Sequence, residues 1–201
     1  MENTASGAVI RVLGLDPAAA GPTGYGVLEG DARRCRLLDW GALRVPPKRR
    51  GNGCGSGVLS EVHALMDRLI AKHKPDVVAV ESVFAALNVR TALRLAEVRG
   101  VVLLTAEQHG LPVHSYSPRE VKASVAGYGH ATKEQIQRMV RAILAMPETP
   151  QPPDAADALA VALCHLQMDG VTRRFGMITT SGRPLPQRDS QGKARSATIG
   201  L

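Results

Sequence analysis

Val77-Val78-Ala79-Val80-Glu81 is the stretch on which the reading of the fold turns. Four apolar residues, three of them β-branched, follow the break at Pro75-Asp76 and run straight into an acid. A short apolar run without alternation fits a strand buried on both faces, which requires helices on both sides of its sheet. Upstream, Val58, Val62, Leu65, Leu69 and Ile70 recur at helical spacing and predict a helix over Val58–His73. Downstream, the pattern predicts a long helix over Val89–Gln108, stopped by Gly110, and then a strand over Leu111–Tyr116.

The N-terminal third reads differently. Residues 1–7 form a loose leader. Ala8–Leu15 is a mostly apolar strand closed by Asp16-Pro17, and Thr23–Leu28 and Arg34–Leu43 follow after short turns, which predicts an antiparallel meander. Towards the C-terminus, Ser117-Pro118-Arg119-Glu120 combines an N-cap serine, proline at the first helical position and a capping-box glutamate. Thr132-Lys133-Glu134-Gln135 opens another helix, to about Met146. Four prolines separate it from a last helix over Asp154–Gln167. The order βββαβαβααα predicts an α/β fold: a ribonuclease H-like mixed five-stranded sheet flanked by helices. The domain spans 8–169, and residues 170–201 form a basic, flexible C-terminal tail.

Composition narrows the class. Hydrophobic residues make up 44% and only six residues are aromatic, so the core is aliphatic. No run of about 18 apolar residues exists, and no basic region leads into an apolar stretch at the N-terminus. Neither a membrane span nor a secretory signal is expected. Cys35, Cys54 and Cys164 are isolated and odd in number, which fits reduced thiols in a cytoplasmic protein. The net charge is +7. Residues 171–201 hold six basic side chains and one acid, against 19 and 17 in the rest. Contact with a polyanion and a simply solvated end both fit that tail. Residues 44–57, with Arg44, Lys48, Arg49 and Arg50 among Gly and Pro, read as a basic loop, either solvated or near a nucleic acid.

Four carboxylates stand where carboxylates are unexpected. Asp16 and Glu81 end two buried strands. If those strands are neighbours, both acids face one cleft at the carboxyl edge of the sheet. Asp154 and Asp157 share one face in the first turn of a helix that continues as apolar as Ala158-Leu159-Ala160-Val161-Ala162-Leu163-Cys164, so burial of that helix takes both acids inward. Clustered carboxylates are costly to desolvate, and no Lys or Arg neighbours any of the four in sequence. A divalent metal offsets the cost most simply, and hard oxygen donors suit Mg²⁺ or Mn²⁺. Two such ions about 3.5–4 Å apart support phosphodiester cleavage. Taken singly, Asp154 also reads as an N-cap, Asp157 as a dipole partner and Asp16 as a turn residue.

The motifs as a set resemble the RuvC family of Holliday-junction resolvases. Val12–Pro17 with Thr23–Val27 is similar to the family's opening motif, and Val80–Phe84 to its second. Asn88–Gly100 is similar to the helix that follows, and Arg119–Lys122 with Lys133–Val140 to the later basic segment. Pro153–Ala160 is similar to the closing acidic helix. The likeness covers about residues 9–168. It implies a crossover junction endodeoxyribonuclease, acting as a homodimer on four-way junction DNA by paired symmetric nicks, and partnership with a branch-migration motor. It implies that Asp16, Glu81, Asp154 and Asp157 are the catalytic, metal-binding acids, with two Mg²⁺ per subunit. Lys122 and Lys133 correspond to residues that approach the DNA backbone, and Phe84 to one that stacks on unpaired bases. Four features depart from the pattern: Ala18 stands where glycine is usual, the turn after Asp16 is longer, residues 46–57 are unusually rich in Gly, Pro and basic groups, and the tail is long.

Other readings compete. A sugar-kinase or actin-like ATPase also opens with a strand, an Asp and a Gly-Thr hairpin, but lacks the Asp154/Asp157 pair and needs a longer chain. A non-catalytic junction-binding protein would not need all four acids. A related ribonuclease H-like nuclease acting on other branched nucleic acid would.

Overall fold

The computed structural model describes residues 8–18, 21–44, 57–82 and 88–174. Five strands form one mixed sheet: β1 (Ile10–Asp16), β2 (Thr23–Gly30), β3 (Cys35–Leu43), β4 (Val77–Glu81) and β5 (Val113–Tyr116). The helices are α1 (Val58–His73), α2 (Val89–Gln108), α3 (Pro118–Ala126), α4 (Lys133–Ile143) and α5 (Pro153–Arg174). The strand order is β3-β2-β1-β4-β5. The first three strands are antiparallel neighbours, while β4 joins β1, and β5 joins β4, in parallel. The expected meander and mixed sheet are present, and the expected neighbourhood of the first and fourth strands holds.

Side chains alternate across a strand, so each strand feeds two cores. Leu13, Leu15, Val27, Val78 and Val80 pack with Val62, Met66 and Leu69 of α1 and Val98 and Val102 of α2. Ile10, Val12, Leu28, Val77 and Ala79 pack with α3, α4 and α5 on the other face. By the same alternation, Asp16 shares a face with Ile10 and Val12, and Glu81 with Val77 and Ala79. Both acids therefore lie on the α5 side.

α5 is buried from Ala155 through Leu166, apart from Asp157. It lies unusually close to the sheet because the strands beneath it present glycine. A Cβ on Gly14 would come within 2.4 Å of the Ala158 carbonyl oxygen, and one on Gly26 within 2.5 Å of Leu159 Cδ2. A Cβ on Gly24 would fall 2.0 Å from the Asp154 carbonyl oxygen. Gly14 and Gly26 are cross-strand partners, as are Asp16 and Gly24.

Two helix ends differ from expectation. α4 stops at Ile143 rather than near Met146, because Ala145 takes a left-handed backbone (φ 49°) that ends the helical turn. The last helix begins at Pro153 and continues to Arg174, past Gln167 and past the expected domain edge at residue 169. Both expected capping boxes are formed, at Ser117/Glu120 and Thr132/Gln135. Cys35 and Cys164 are free thiols, and Cys54 lies outside the described residues. No helix among the described residues is long and apolar enough to cross a membrane.

Replacing Gly14 by Ala forces α5 away from β1. We expect a loss of about 1–3 kcal/mol of unfolding free energy, read as a lower urea midpoint. An unchanged midpoint would mean that the helix has room to rise.

Candidate active site

The register of β1 with β4 pairs Leu15 with Val80, so Asp16 and Glu81 leave the sheet side by side at its carboxyl edge. α5 crosses above them and brings Asp157 down on the same side. These three acids, with Lys122 of α3 and Lys133 of α4, line an open cleft of about 240 Å³ whose floor includes Val121, Ile136 and Ala160. Asp154, one turn earlier on α5, is not among the lining residues. Its charge nevertheless acts on both Asp16 and Lys133. Phe84 lies outside the described residues, as do Ala19 and Ala20 of the turn after Asp16 and most of the basic loop.

The electrostatics are those of crowded acids. Burial, then repulsion from Glu81, Asp157 and Asp154, pushes the Asp16 carboxyl up to about 8, against an ordinary 3.8. Burial and Asp157 raise Glu81 as well, with Lys122 and Lys133 opposing. Lys133 donates to Asp157, Nζ to Oδ2, at 2.7 Å, and that hydrogen bond holds the ammonium above its usual range. The cost of gathering the acids is met in part by lysines, one of them 24 positions from its partner. Linear neighbourhood does not reveal a pairing made when α4 and α5 pack together.

The donor set tests whether a metal fits. Asp16, Glu81 and Asp157 offer only hard carboxylate oxygens, the choice of Mg²⁺ or Mn²⁺ over a soft metal. The field of four acids favours added positive charge. As the side chains stand, no trio of His, Cys, Asp or Glu among the described residues is arranged to grip one ion. One Asp157 oxygen is engaged by Lys133. The residues fit a divalent cation in chemistry, and a rotation of Asp157 away from Lys133 would free an oxygen for it.

A ribonuclease H-like sheet with acids gathered where β1 and β4 end, under an acidic helix, defines the class. Residues 12–165 match the family model of the crossover junction endodeoxyribonuclease RuvC. The RuvC of Pelotomaculum thermopropionicum is 45% identical over 158 residues, covering 77% of this chain and 91% of that one. That of Moorella thermoacetica is 46% identical over 158 residues, covering 77% and 89%. Among solved structures, T. thermophilus RuvC in complex with a Holliday junction substrate superposes with a TM-score of 0.73 at 33% identity, covering 81% of this chain and 96% of that one. The yeast mitochondrial Holliday junction resolvase Ydc2, at 14% identity and a TM-score of 0.54, shares the fold. The chain belongs to the RuvC family of crossover junction endodeoxyribonucleases.

Asp16 is ionised only at a cost in the metal-free protein. Its folded value lies above its unfolded one, so its contribution to stability falls as pH rises from about 4 towards about 8. Asp16→Asn should remove that slope and stabilise the protein in EDTA at pH 8 by roughly 0.5–2 kcal/mol. Thermal unfolding across this pH range checks it. A variant that melts below the parent at pH 8 would contradict the stated balance of forces.

Proposed function

We propose that this chain resolves four-way DNA junctions by paired, metal-dependent nicks during recombination and repair. The observation that carries the reading is the convergence of Asp16, Glu81 and Asp157 with Lys122 and Lys133 on one open cleft. Asp16, Glu81, Asp154 and Asp157 are the catalytic, metal-binding acids in this reading, and two Mg²⁺ per subunit, or Mn²⁺, are the cofactors. When bound, the ions supply charge neutralisation and activate water for in-line attack on phosphorus. The chain's own residues do the rest. Lys122 and Lys133 attract the backbone and orient the phosphate's non-bridging oxygens over Asp16 and Glu81. Lys133, already hydrogen-bonded to Asp157, moves between that carboxylate and the incoming phosphate. Val121 and Ile136 limit water beneath the reacting group. Junction shape, more than base contacts, selects the substrate. Phe84, in the segment after β4, stacks on an unpaired base at the junction centre.

Paired cuts require two sites, and the reading includes a homodimer. α2 supports it with an exposed stripe of Val89, Leu93 and Leu104, 75%, 62% and 55% accessible and at helical spacing. Leu93→Glu should turn the dimer into monomer, seen by light scattering, and end coordinated cutting of both strands. A monomeric parent protein would sink this part. A nuclease domain followed by a basic C-terminal tail, a cytoplasmic location and a branch-migration motor as partner complete the proposal.

The direct test compares nicking of a synthetic four-way junction and a linear duplex, with Mg²⁺, Mn²⁺ or EDTA. Symmetric cuts on the junction alone, with metal alone, are expected. Asp157→Asn should bind the junction as the parent does while cutting about 1000-fold more slowly or worse. Near-parental cutting by that variant would overturn the assignment of the acids.

A further inference from the structure

The connection between α3 and α4 is built with more care than a simple turn needs. Each flanking helix starts from a closed capping box. Ser117 accepts from Glu120 N while Glu120 accepts from Ser117, and Thr132 and Gln135 do the same. α3 ends on Gly127 at φ 84°, a conformation that a side chain would strain. Ala131, buried to 1%, anchors the far side of the loop. Between these two residues Tyr128 stands 48% exposed. Next to it, Gly129 lies under the stem of Arg119, where a Cβ would come within 2.6 Å of Arg119 Cγ. The glycine thus provides a groove in which the arginine stem rests, with its guanidinium at the surface.

Position makes this arrangement meaningful. Arg119 lies one turn before Lys122 on α3, on the same face, and Lys122 lines the cleft. The loop then runs into Lys133, which touches Asp157. From Arg119 to Lys133 the chain presents Arg119, Lys122, Lys133, the exposed ring of Tyr128 and the exposed imidazole of His130. Its single acid, Glu120, is tied to Ser117 by both the backbone nitrogen and the hydroxyl at 2.7 Å. Glu134, just beyond, serves the first turn of α4. A cationic rim with an exposed aromatic ring, carried by the same helix–loop–helix that supplies Lys122 and Lys133 to the cleft, suits one occupant. That occupant is a nucleic-acid strand with an unstacked base.

We propose that the α3–α4 rim is a strand-holding subsite beside the cleft. Tyr128 stacks on a base next to the cut phosphate, and Arg119 binds a neighbouring phosphate. This rests on the nuclease reading above and adds two residues to it. The two contacts have different physics. Stacking is insensitive to salt, whereas a phosphate contact releases counterions.

The experiment uses the full-length chain and a four-way junction with 2-aminopurine placed in turn at each position flanking the cut, in Ca²⁺ so that binding is read without cutting. With the parent protein, the fluorescence of one position should change on binding. Tyr128→Phe should preserve that change. Tyr128→Ala should abolish it and weaken binding about 5- to 100-fold, with the salt dependence unaltered. Arg119→Gln should leave the fluorescence change in place. It should also lower the slope of log K against log salt by about 0.9, one phosphate's worth. A Tyr128→Ala protein with the parental fluorescence change, or an Arg119→Gln protein with the parental slope, overturns the corresponding half. Cutting by the parent in Mg²⁺ is assayed alongside. If the parent cuts and both variants behave as the parent does, only the subsite is wrong. If the parent neither binds nor cuts junctions, both readings fall together.

Discussion

The approach of α5 to the glycine-lined face of β1 and β2 is the constraint from which the rest of the molecule follows. Gly14, Gly24 and Gly26 remove the layer of side chains that usually separates a helix from a sheet. Ala158 and Leu159 settle almost onto backbone. A spacing this small brings Asp157 within the electrostatic reach of Asp16 and Glu81, although the three come from separate elements. A bulkier contact layer would lift the acidic turn of α5 and leave two strand-end acids facing solvent.

The same contact explains why the site is electrically stressed. Asp16 is repelled by three other carboxylates, Glu81, Asp157 and Asp154, and sits at the end of an apolar strand. Hydrophobic packing of α5 and of both sheet faces holds it there against repulsion, with Lys133 relieving part of the load on Asp16 and Lys122 joining it at Glu81. Packing stability is thereby converted into a preorganised cluster of carboxyl groups, as at other functional sites where buried groups titrate far from their ordinary range.

Much of this was legible in the chain because local signals agreed with global ones. Val58–His73 and Val89–Gln108 have the expected bounds, set by strong periodicity and clear breaks. Asp16, Glu81 and the Asp154/Asp157 pair stood out because an acid closing an apolar run, or opening a fully apolar helix, has few structural uses. What stayed hidden depended on tertiary contact. The ion pair of Lys133 with Asp157 joins helices distant in sequence, and the early end of α4 turns on one left-handed residue, Ala145. How far each member of the Asp154/Asp157 pair enters the cleft depends on how α5 is rotated, which a spacing of three does not fix. The role of the glycines was missed too, since a glycine within a strand gives no sign of which helix lies on it.

α5 also sets a length scale for the molecule. The helix starts at the acids and continues unbroken to Arg174. At 1.5 Å per residue its far end stands about 30 Å from Asp154. Near that end it meets the turn between β2 and β3, where a Cβ on Gly170 would overlap Ala32. One helix thus runs from the acids at one end of β1 to the hairpin at the other. Changes at the hairpin and changes at the cleft should then be separable operations, one acting on stability and the other on reaction.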